Sequence, residues 1–572
     1  MAHAVLTEGA PRRRRGRRRV WRRRLRLLVP LAILGAAAVA VVLMIRAGPG
    51  RAERQLVSNY VRDWATSDYQ KMYSLLDPVS RTQMSEARFA AAYRHDAMIA
   101  TLATLTAEKI GGRRGEYIPV QMLVTTRLFG TLRETLEVPL SGSGSSATVH
   151  YAGNLLFPGL TGNERLARRM SLPPRATLFA ADGTPLAQGP DRTSPIPEVA
   201  NEIVGTLGPI PADQATAYAA QGYPAKAQVG QDGLELVFQN QLAGKPGGVL
   251  LAGRRVLARA AAVPGQNVTT TINPNLELAA ISALGGNYAG MVAMDPRTGA
   301  LEALAGIAYS APQPPGSTMK IITSTAALAA GIVKLSTVFP YSTAATLDGY
   351  TLHNASGEDC GGTLLNSFAV SCNSVFAPLG AQLGGQRLLA MADRFGFNQT
   401  PTIPGVAESS IPPASLGSDL EVGSSAIGQG QVLATPLEMA DAAATIAMGG
   451  KRPLPTLQAG QPPRFVPVTS AHVAGNVQQM MVAVVQFGTG TAAQIPGVTV
   501  AGKTGTAELA STTTSSGQSV ANANQLTDAW FVGYAPVGHP RIVVGALFPD
   551  QGAGGATAAP AVRQVLVAAL QH

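Results

Sequence analysis

At 572 residues the chain is too long for one compact core, and its length suggests about three or four folding units. Its formal charge of +11 would suit a nucleic-acid binder, but eleven arginines lie between Arg12 and Arg26, with Glu8 the one acid of residues 1–26. The rest of the chain is close to neutral, so nucleic acid is not expected as a partner.

The arginine-rich tail, residues 1–26, leads into Leu27–Ile45, nineteen residues without a charge. That is about the length needed to cross the hydrocarbon of a bilayer. Arginines stay on the cytoplasmic side during insertion, so a single-pass protein of the cell membrane is expected, N-terminus inside and the remainder outside. A cleaved signal peptide would have a shorter apolar stretch and a small-residue cleavage site, and AGPGRA after Arg46 is a poor one. A retained anchor is the better reading.

Residues 51 to about 107 are helical in pattern, with Leu56, Tyr60, Trp64 and Tyr69 at helix-like spacing. Residues 117–149 alternate and are rich in β-branched side chains, which predicts strands. Helices followed by strands suggest a small α+β domain over 51–165. Residues 166–264 open with an Asp182-Gly183 turn between apolar arms and are rich in glycine, proline and glutamine, which suggests a linker or pedestal. From residue 265 to 572 apolar helices mix with strands. MVAMDPRTGALEALAG reads as a strand, turn and strand, DAWFVGYAP and RIVVGALF as strands, and PAVRQVLVAALQ as a helix packed on their sheet.

Two cysteines, Cys360 and Cys372, fall in the part expected outside. An oxidising compartment would allow a disulfide closing a short loop, worth on the order of 3 kcal/mol, and the sequence leaves open whether they are bonded. The seven histidines are scattered, so neither a metal site nor a cofactor is expected.

Lysine is scarce, with eight in the chain. Lys320 alone has a serine three residues before it, Ser317, in PPGSTMKII; Lys503 opens the single Lys-Thr-Gly, in TVAGKTGTAE; and Ser371-Cys372-Asn373 lies between them. Ser-x-x-Lys, then Ser-x-Asn, then Lys-Thr-Gly is the ordered set of serine β-lactamases and penicillin-binding proteins. Pro315-Gly316 should stop the preceding strand and leave Ser317 in the first turn of a helix, where it and Lys320 share a face and can touch. A serine hydroxyl needs a base, and a lysine serves only if burial or a neighbouring cation such as Lys503 lowers its pKa. Amides at the helix N-terminus would form half of an oxyanion site, and an edge-strand amide the other half. Gly505 would let substrate approach that strand closely.

Residues 265–572 resemble the transpeptidase domain of class B penicillin-binding proteins. Beyond the three motifs the likeness includes MDPRTGALEALA, IGQGQVLATPLEMADAAATIAMGG at 427–450, GTGTAAQIPGVTVAGKTGTAE at 488–508 and DAWFVGYAP at 528–536. Residues 233–248 and 182–187 resemble the closing and opening segments of that family's pedestal domain, and 51–165 resembles the cone-shaped domain of the methicillin-resistance type. Actinobacterial members are the most similar in texture. The fold expected is α+β and multidomain: a transmembrane helix, the cone-shaped domain, a reduced pedestal and an antiparallel sheet with helices on both sides.

The resemblance implies Ser317 as acyl-enzyme nucleophile, Lys320 as its base, Ser371 as proton relay and Asn373 as holder of the substrate amide. Lys503 and Thr504 would bind the substrate carboxylate, with Gly505 and Thr506 assisting, and the backbone amides of Ser317 and Thr506 would form the oxyanion hole. The substrate would be the D-Ala-D-Ala end of a peptidoglycan stem peptide, the inhibitors β-lactams, and a glycosyltransferase of the elongation or division machinery a partner. The chain departs from the family in the short segment Ile307–Pro315, in Met319 where phenylalanine is commoner, and in Arg175-Ala176. The rivals are a β-lactamase or β-lactam sensor, of which a class A lactamase would need a deacylating carboxylate usually found in Glu-x-x-Leu-Asn, and an inactive scaffold. There is no Glu-x-x-Leu-Asn and no G-x-S-x-G.

Overall fold

A computed structural model of the protein describes residues 50–508 and 527–571. The arginine tail and the apolar span expected over 27–45 lie outside these residues. Among the described residues no helix is long and apolar enough to cross a membrane. The chain forms two compact units. The first takes in the described residues up to Pro173 together with Pro209–Ala227 and Gly244–Pro264; the second takes in Pro174–Gly208, Gln228–Ala243 and the described residues from Gly265 onward. The region 166–264, expected as one pedestal, therefore contributes chain to both.

In the first unit, α1 (Arg51–Ala65) buries Val57, Tyr60, Val61 and Trp64, three or four residues apart along one face. Helix α2 (Glu86–Ala100) is capped by Ser85, whose hydroxyl accepts from Arg88 N, and it ends at Thr101 in the left-handed region, φ 51°. Strand β1 (Leu102–Ile110) starts there, some five residues before the helical pattern was expected to end, because the Thr-Leu alternation of LATLTAEKI pairs with β2 (Tyr117–Thr126). Strand β3 (Gly130–Ser141) continues the antiparallel sheet. Ile118, Val120, Met122 and Val124 of β2 are fully buried, the period of two that a strand with one covered face requires. A second antiparallel sheet joins β4 (Leu166–Ser171), β5 (Gly247–Ala252) and β6 (Arg255–Ala260), with β5 in the middle.

The second unit is built on five antiparallel strands. Helix α3 (Pro274–Leu284), with Pro274 in its first turn and Asn273 as cap, precedes the hairpin of β7 (Gly290–Asp295) and β8 (Ala300–Gly306). The helices α4 (Lys320–Ala329), α5 (Leu364–Ala369), α6 (Asn373–Leu383), α7 (Pro436–Ala447) and α8 (Ala471–Gln486) follow. The remaining strands are β9 (Ala501–Glu508), β10 (Thr527–Ala535) and β11 (Ile542–Phe548), and α9 (Ala558–Gln571) comes last. The strand order is β8-β7-β11-β10-β9.

Successive residues of these strands enter different cores, which is what covers both faces. Val292, Met294, Trp530, Val532 and Tyr534 pack in one cluster with Ile321 of α4, Phe376 of α6, Met439 of α7 and Met480 of α8. Met291, Ala293, Ala529 and Phe531 pack in the other with Leu276 of α3 and Val562 of α9. The expectation of an antiparallel sheet with helices on both sides holds. The edge strand β8 is closed by side chains: Leu304 N donates to Glu277 at 2.7 Å, and Gly306 N donates to Glu202. The other edge, β9, carries the Lys-Thr-Gly stretch.

Candidate active site

Three segments distant in sequence meet beside β9. The first is the turn at Pro315-Gly316. Gly316 has φ 51°, and a Cβ there would lie 2.8 Å from Thr506 O, so glycine is required for the turn to lie against the edge strand. Gly316 N donates to Gly428 O at 2.9 Å, which ties the turn to the 427–430 loop. Ser317 follows in a 3-10 turn, Gly316–Met319, that runs directly into α4, and it stays partly exposed while Lys320 is fully buried.

The second segment is the junction of α5 and α6. Ser371 bridges the two helices with φ 64°, a strained conformation for a residue with a Cβ. Its neighbour Cys372 is joined to Cys360 by a disulfide. Asn373 opens α6, and its Nδ2 donates to His353 O at 3.0 Å. The third segment is β9 itself, which supplies Lys503, Thr504, Gly505 and Thr506.

All the residues singled out in the sequence come together, but their pairing differs from the expectation in one respect. Lys320 Nζ donates to Ser371 O at 2.7 Å, to Asn373 Oδ1 at 2.7 Å and to Ser371 Oγ at 3.3 Å, and none of these bonds goes to Ser317. An ammonium group has three protons, and the Ser-x-Asn junction takes all three. Ser317 lies in the 3-10 turn ahead of α4, where side chains three apart stand on the same side, so the alignment expected of the pair is kept although no hydrogen bond joins them. Lys503 Nζ donates to the same Ser371 Oγ at 2.8 Å and to Thr504 O at 2.9 Å.

Two buried ammonium groups thus share one hydroxyl. Burial and the Lys503 charge push the Lys320 pKa well below the usual lysine value, and burial pushes Lys503 down to about 7. Each ammonium also stands 5.5 Å from an aromatic centroid, Lys320 over Phe376 and Lys503 over Phe368. A neutral amine is therefore easier to reach at Lys320 than at an ordinary lysine, which is the condition for a base.

Gly505 has another role than the one expected. A Cβ there would meet Pro315 O at 2.7 Å and Trp530 Cβ at 2.8 Å, so its missing side chain makes room for the protein's own turn and the strand behind it. Thr504 Oγ1 hydrogen-bonds Thr489 Oγ1 at 2.5 Å, and Thr506 Oγ1 accepts from Gly554 N at 3.4 Å. Sequence reasoning did not single out Thr489, Phe368, Phe376, Gly428 or Gln429. Gly488 of GTGT and Gly428 of GQG were the available signal, since each marks a place where backbone approaches backbone. Among the described residues no carboxylate hydrogen-bonds to Ser317, Lys320, Ser371, Asn373 or Lys503, and no group of three metal-ligating side chains is present.

Residues 289–567 match the penicillin binding protein transpeptidase domain, and residues 172–270 match the penicillin-binding protein dimerisation domain. The chain is 34% identical over 377 residues to the peptidoglycan D,D-transpeptidase PbpA of Mycolicibacterium smegmatis, covering 54% of this chain and 73% of that one. Among solved structures it is similar to the D,D-transpeptidase domain of a peptidoglycan glycosyltransferase from Eggerthella lenta, at 28% identity and a TM-score of 0.57 over 70% of this chain and 98% of that chain. It is also similar to penicillin-binding protein A from M. tuberculosis as its imipenem acyl-enzyme, at 27% identity and a TM-score of 0.56 over 70% of this chain and 99% of the other.

Proposed function

The chain belongs to the class B penicillin-binding proteins and is a peptidoglycan D,D-transpeptidase, and we propose that Ser317 is the nucleophile that carries the acyl group. The observation that carries this reading is the pair of buried ammonium groups converging on Ser371 Oγ, Lys503 at 2.8 Å and Lys320 at 3.3 Å. Burial keeps the proton affinity of both lysines low, and the Lys503 charge lowers that of Lys320 further, which a structural ion pair would not require.

In this reading Ser317 Oγ attacks the carbonyl between the last two D-alanines and passes its proton to the neutral amine of Lys320. A neutral amine donates two hydrogen bonds, which Ser371 O and Asn373 Oδ1 accept, and its lone pair is then free for Ser317 once substrate tightens the site. The oxyanion is received by the amides of Ser317 and Thr506. The tetrahedral adduct collapses, the C–N bond breaks, and Ser371 gives its proton to the departing D-alanine amine while the lysines restore it. The acyl-enzyme is then attacked by an amine of a neighbouring stem peptide, which forms the cross-link and frees Ser317. Lys503 and Thr504 hold the donor carboxylate, Thr489 orients the Thr504 hydroxyl, and the second Nδ2 proton of Asn373 holds the donor amide. The class A β-lactamase reading finds no support here, since among the described residues no carboxylate hydrogen-bonds to Ser317, Lys320, Ser371, Asn373 or Lys503.

We further propose that Leu27–Ile45 anchors the chain in the cytoplasmic membrane with residues 1–26 inside, on the support of the charge asymmetry alone. The described residues would then lie outside the cytoplasm, a placement that suits the Cys360–Cys372 disulfide. A separate glycosyltransferase would supply the glycan strands. Intact-protein mass spectrometry after benzylpenicillin tests the central assignment. A single adduct that maps to Ser317 and disappears in Ser317→Ala is expected, and an adduct elsewhere, or none, overturns it.

A further inference from the structure

An exposed sheet edge is a template for one more strand, and this sheet has two edges. On β8 the outward amides are already used: Leu301 N donates to Thr456 O at 2.9 Å, Leu304 N to Glu277, and Gly306 N to Glu202. On β9 the far end is also used, by a side chain. The amide of Gln429 faces the backbone of Glu508, and in the orientation that satisfies both groups its nitrogen lies 3.2 Å from Glu508 O and its oxygen 3.0 Å from Glu508 N. One side-chain amide thus makes both hydrogen bonds that a peptide of an added strand would make there.

The amide is held in place from the nucleophile's own turn. Gly428 O accepts from Gly316 N at 2.9 Å, and a Cβ on Gly428 would lie 2.0 Å from Gly316 O. Gln429 N donates to Ser424 O at 2.9 Å, and Gly430 leaves with φ 72°. Backbone groups along an edge strand face outward at alternate residues, so Thr504, Thr506 and Glu508 face the same way. Thr504 O is taken by Lys503 Nζ and Glu508 by Gln429, which leaves Thr506 as the backbone pair between two occupied positions.

We propose that Gln429 is a specificity-determining stop that confines the acyl donor's strand pairing to Thr506. The inference rests on the transpeptidase reading above. With the donor carboxylate at Lys503 and Thr504 and the scissile carbonyl beside Thr506, the chain upstream of that carbonyl heads along β9 toward Glu508. There it meets Gln429 and must leave the strand, so the stem-peptide residue before the two D-alanines is recognised by its side chain and not by ladder pairing.

Two penicillins test this on the full chain. One is 6-aminopenicillanic acid, which has no acyl group at the position equivalent to the upstream donor. The other is a penicillin with a dipeptidyl 6-acylamino group, long enough to reach Glu508. Gln429→Ala and the isosteric Gln429→Glu, whose carboxylate cannot donate to Glu508 O, should each raise the ratio of long to short acylation rate about five-fold or more, the worth of one net hydrogen bond. A ratio within two-fold of the parent, or lower, in either variant overturns the proposal. Hydrogen exchange on the unsubstituted chain gives a reading independent of any variant. The Glu508 amide should be protected before acylation and no better protected after acylation by the long penicillin, and protection that appears only with the long penicillin overturns it. If neither penicillin acylates Ser317, it is the transpeptidase reading that fails.

Discussion

Ser371 Oγ accepts from Lys503 Nζ at 2.8 Å, and Lys320 Nζ stands 3.3 Å from the same oxygen. A hydroxyl has two acceptor positions and one proton, so once Lys320 has taken the Ser317 proton and both positions face ammonium groups, its own proton is left to point elsewhere. The departing amine is the group that needs it. Ser371→Ala should therefore slow penicillin acylation about 10²- to 10⁴-fold, the usual worth of a positioned proton donor, while Ser317 is still labelled in the end. Stopped-flow fluorescence with a labelled penicillin measures this, and a loss smaller than ten-fold would remove Ser371 from the proton route.

The pH dependence of acylation follows from the two lysines. Acylation requires Lys320 neutral and Lys503 charged. Burial lowers Lys503 to about 7, so above that pH it loses its proton, and with it the charge that holds the donor carboxylate. The acylation rate should decline as pH rises beyond about 7. Arginine does not deprotonate in this range, so whatever activity Lys503→Arg retains should show no decline up to pH 9. A pH series of acylation rates decides it: an unchanged alkaline limb in the variant would assign that limb to another group.

Much of this site could be read from the chain before folding, because its chemistry sits in residue types that are rare here. Eight lysines in 572 residues make the spacing Ser317-Lys320 and the string Lys503-Thr504-Gly505 conspicuous, and the near-continuous apolar runs of β7, β10 and β11 reveal the sheet. What could not be read is how these pieces turn toward one another. Lys320 hydrogen-bonds Ser371 and not Ser317, an arrangement that depends on contacts far apart in sequence, with Gly316 packed against Thr506 and Gly428. The division of residues 166–264 between two units was equally hidden, since strand β5 pairs with β4 some eighty residues earlier.

The buried carboxyl that closes the far edge of the sheet has a stability consequence. Glu277 is fully buried, accepts from Leu304 N through Oε2 and leaves Oε1 without a partner; burial, with Glu202 nearby, raises its pKa to about 8. A carboxyl whose folded pKa lies above its ordinary value of 4.5 keeps a proton that the unfolded chain has lost, so this group's contribution to stability falls as pH rises from about 4.5 to about 8. Glu277→Gln keeps the shape and the acceptor for Leu304 N and removes the titration. Its Tm should exceed the parent's at pH 8, and the difference should shrink toward pH 5. Calorimetry at the two pH values measures it; a variant less stable than the parent at pH 8 would mean that the carboxylate has a partner when charged.

Gly428 links the loop that carries Gln429 to the nucleophile turn, and its lack of a side chain is specific to that contact. A Cβ at Gly428 would lie 2.0 Å from Gly316 O and 2.7 Å from Gly316 N, so one of the two turns has to move and the bond from Gly316 N to Gly428 O is lost. The other side of Gly316 is blocked by Thr506 O, which leaves Ser317 no way to shift without leaving its place beside the strand. A misplacement of about 1 Å at a reacting atom costs about 10²-fold, so Gly428→Ala should slow acylation of Ser317 by at least that factor. Backbone strain alone would not do this, and Gly497 provides the comparison: its φ of 76° nearly equals the 75° of Gly428, but a Cβ there meets nothing within 4 Å. Gly497→Ala should lower the Tm through the same left-handed strain, worth about 1–2 kcal/mol, and leave the acylation rate at the parent's value. Equal losses of acylation rate in the two variants would show that strain, and not the contact with Gly316, is what Gly428 relieves.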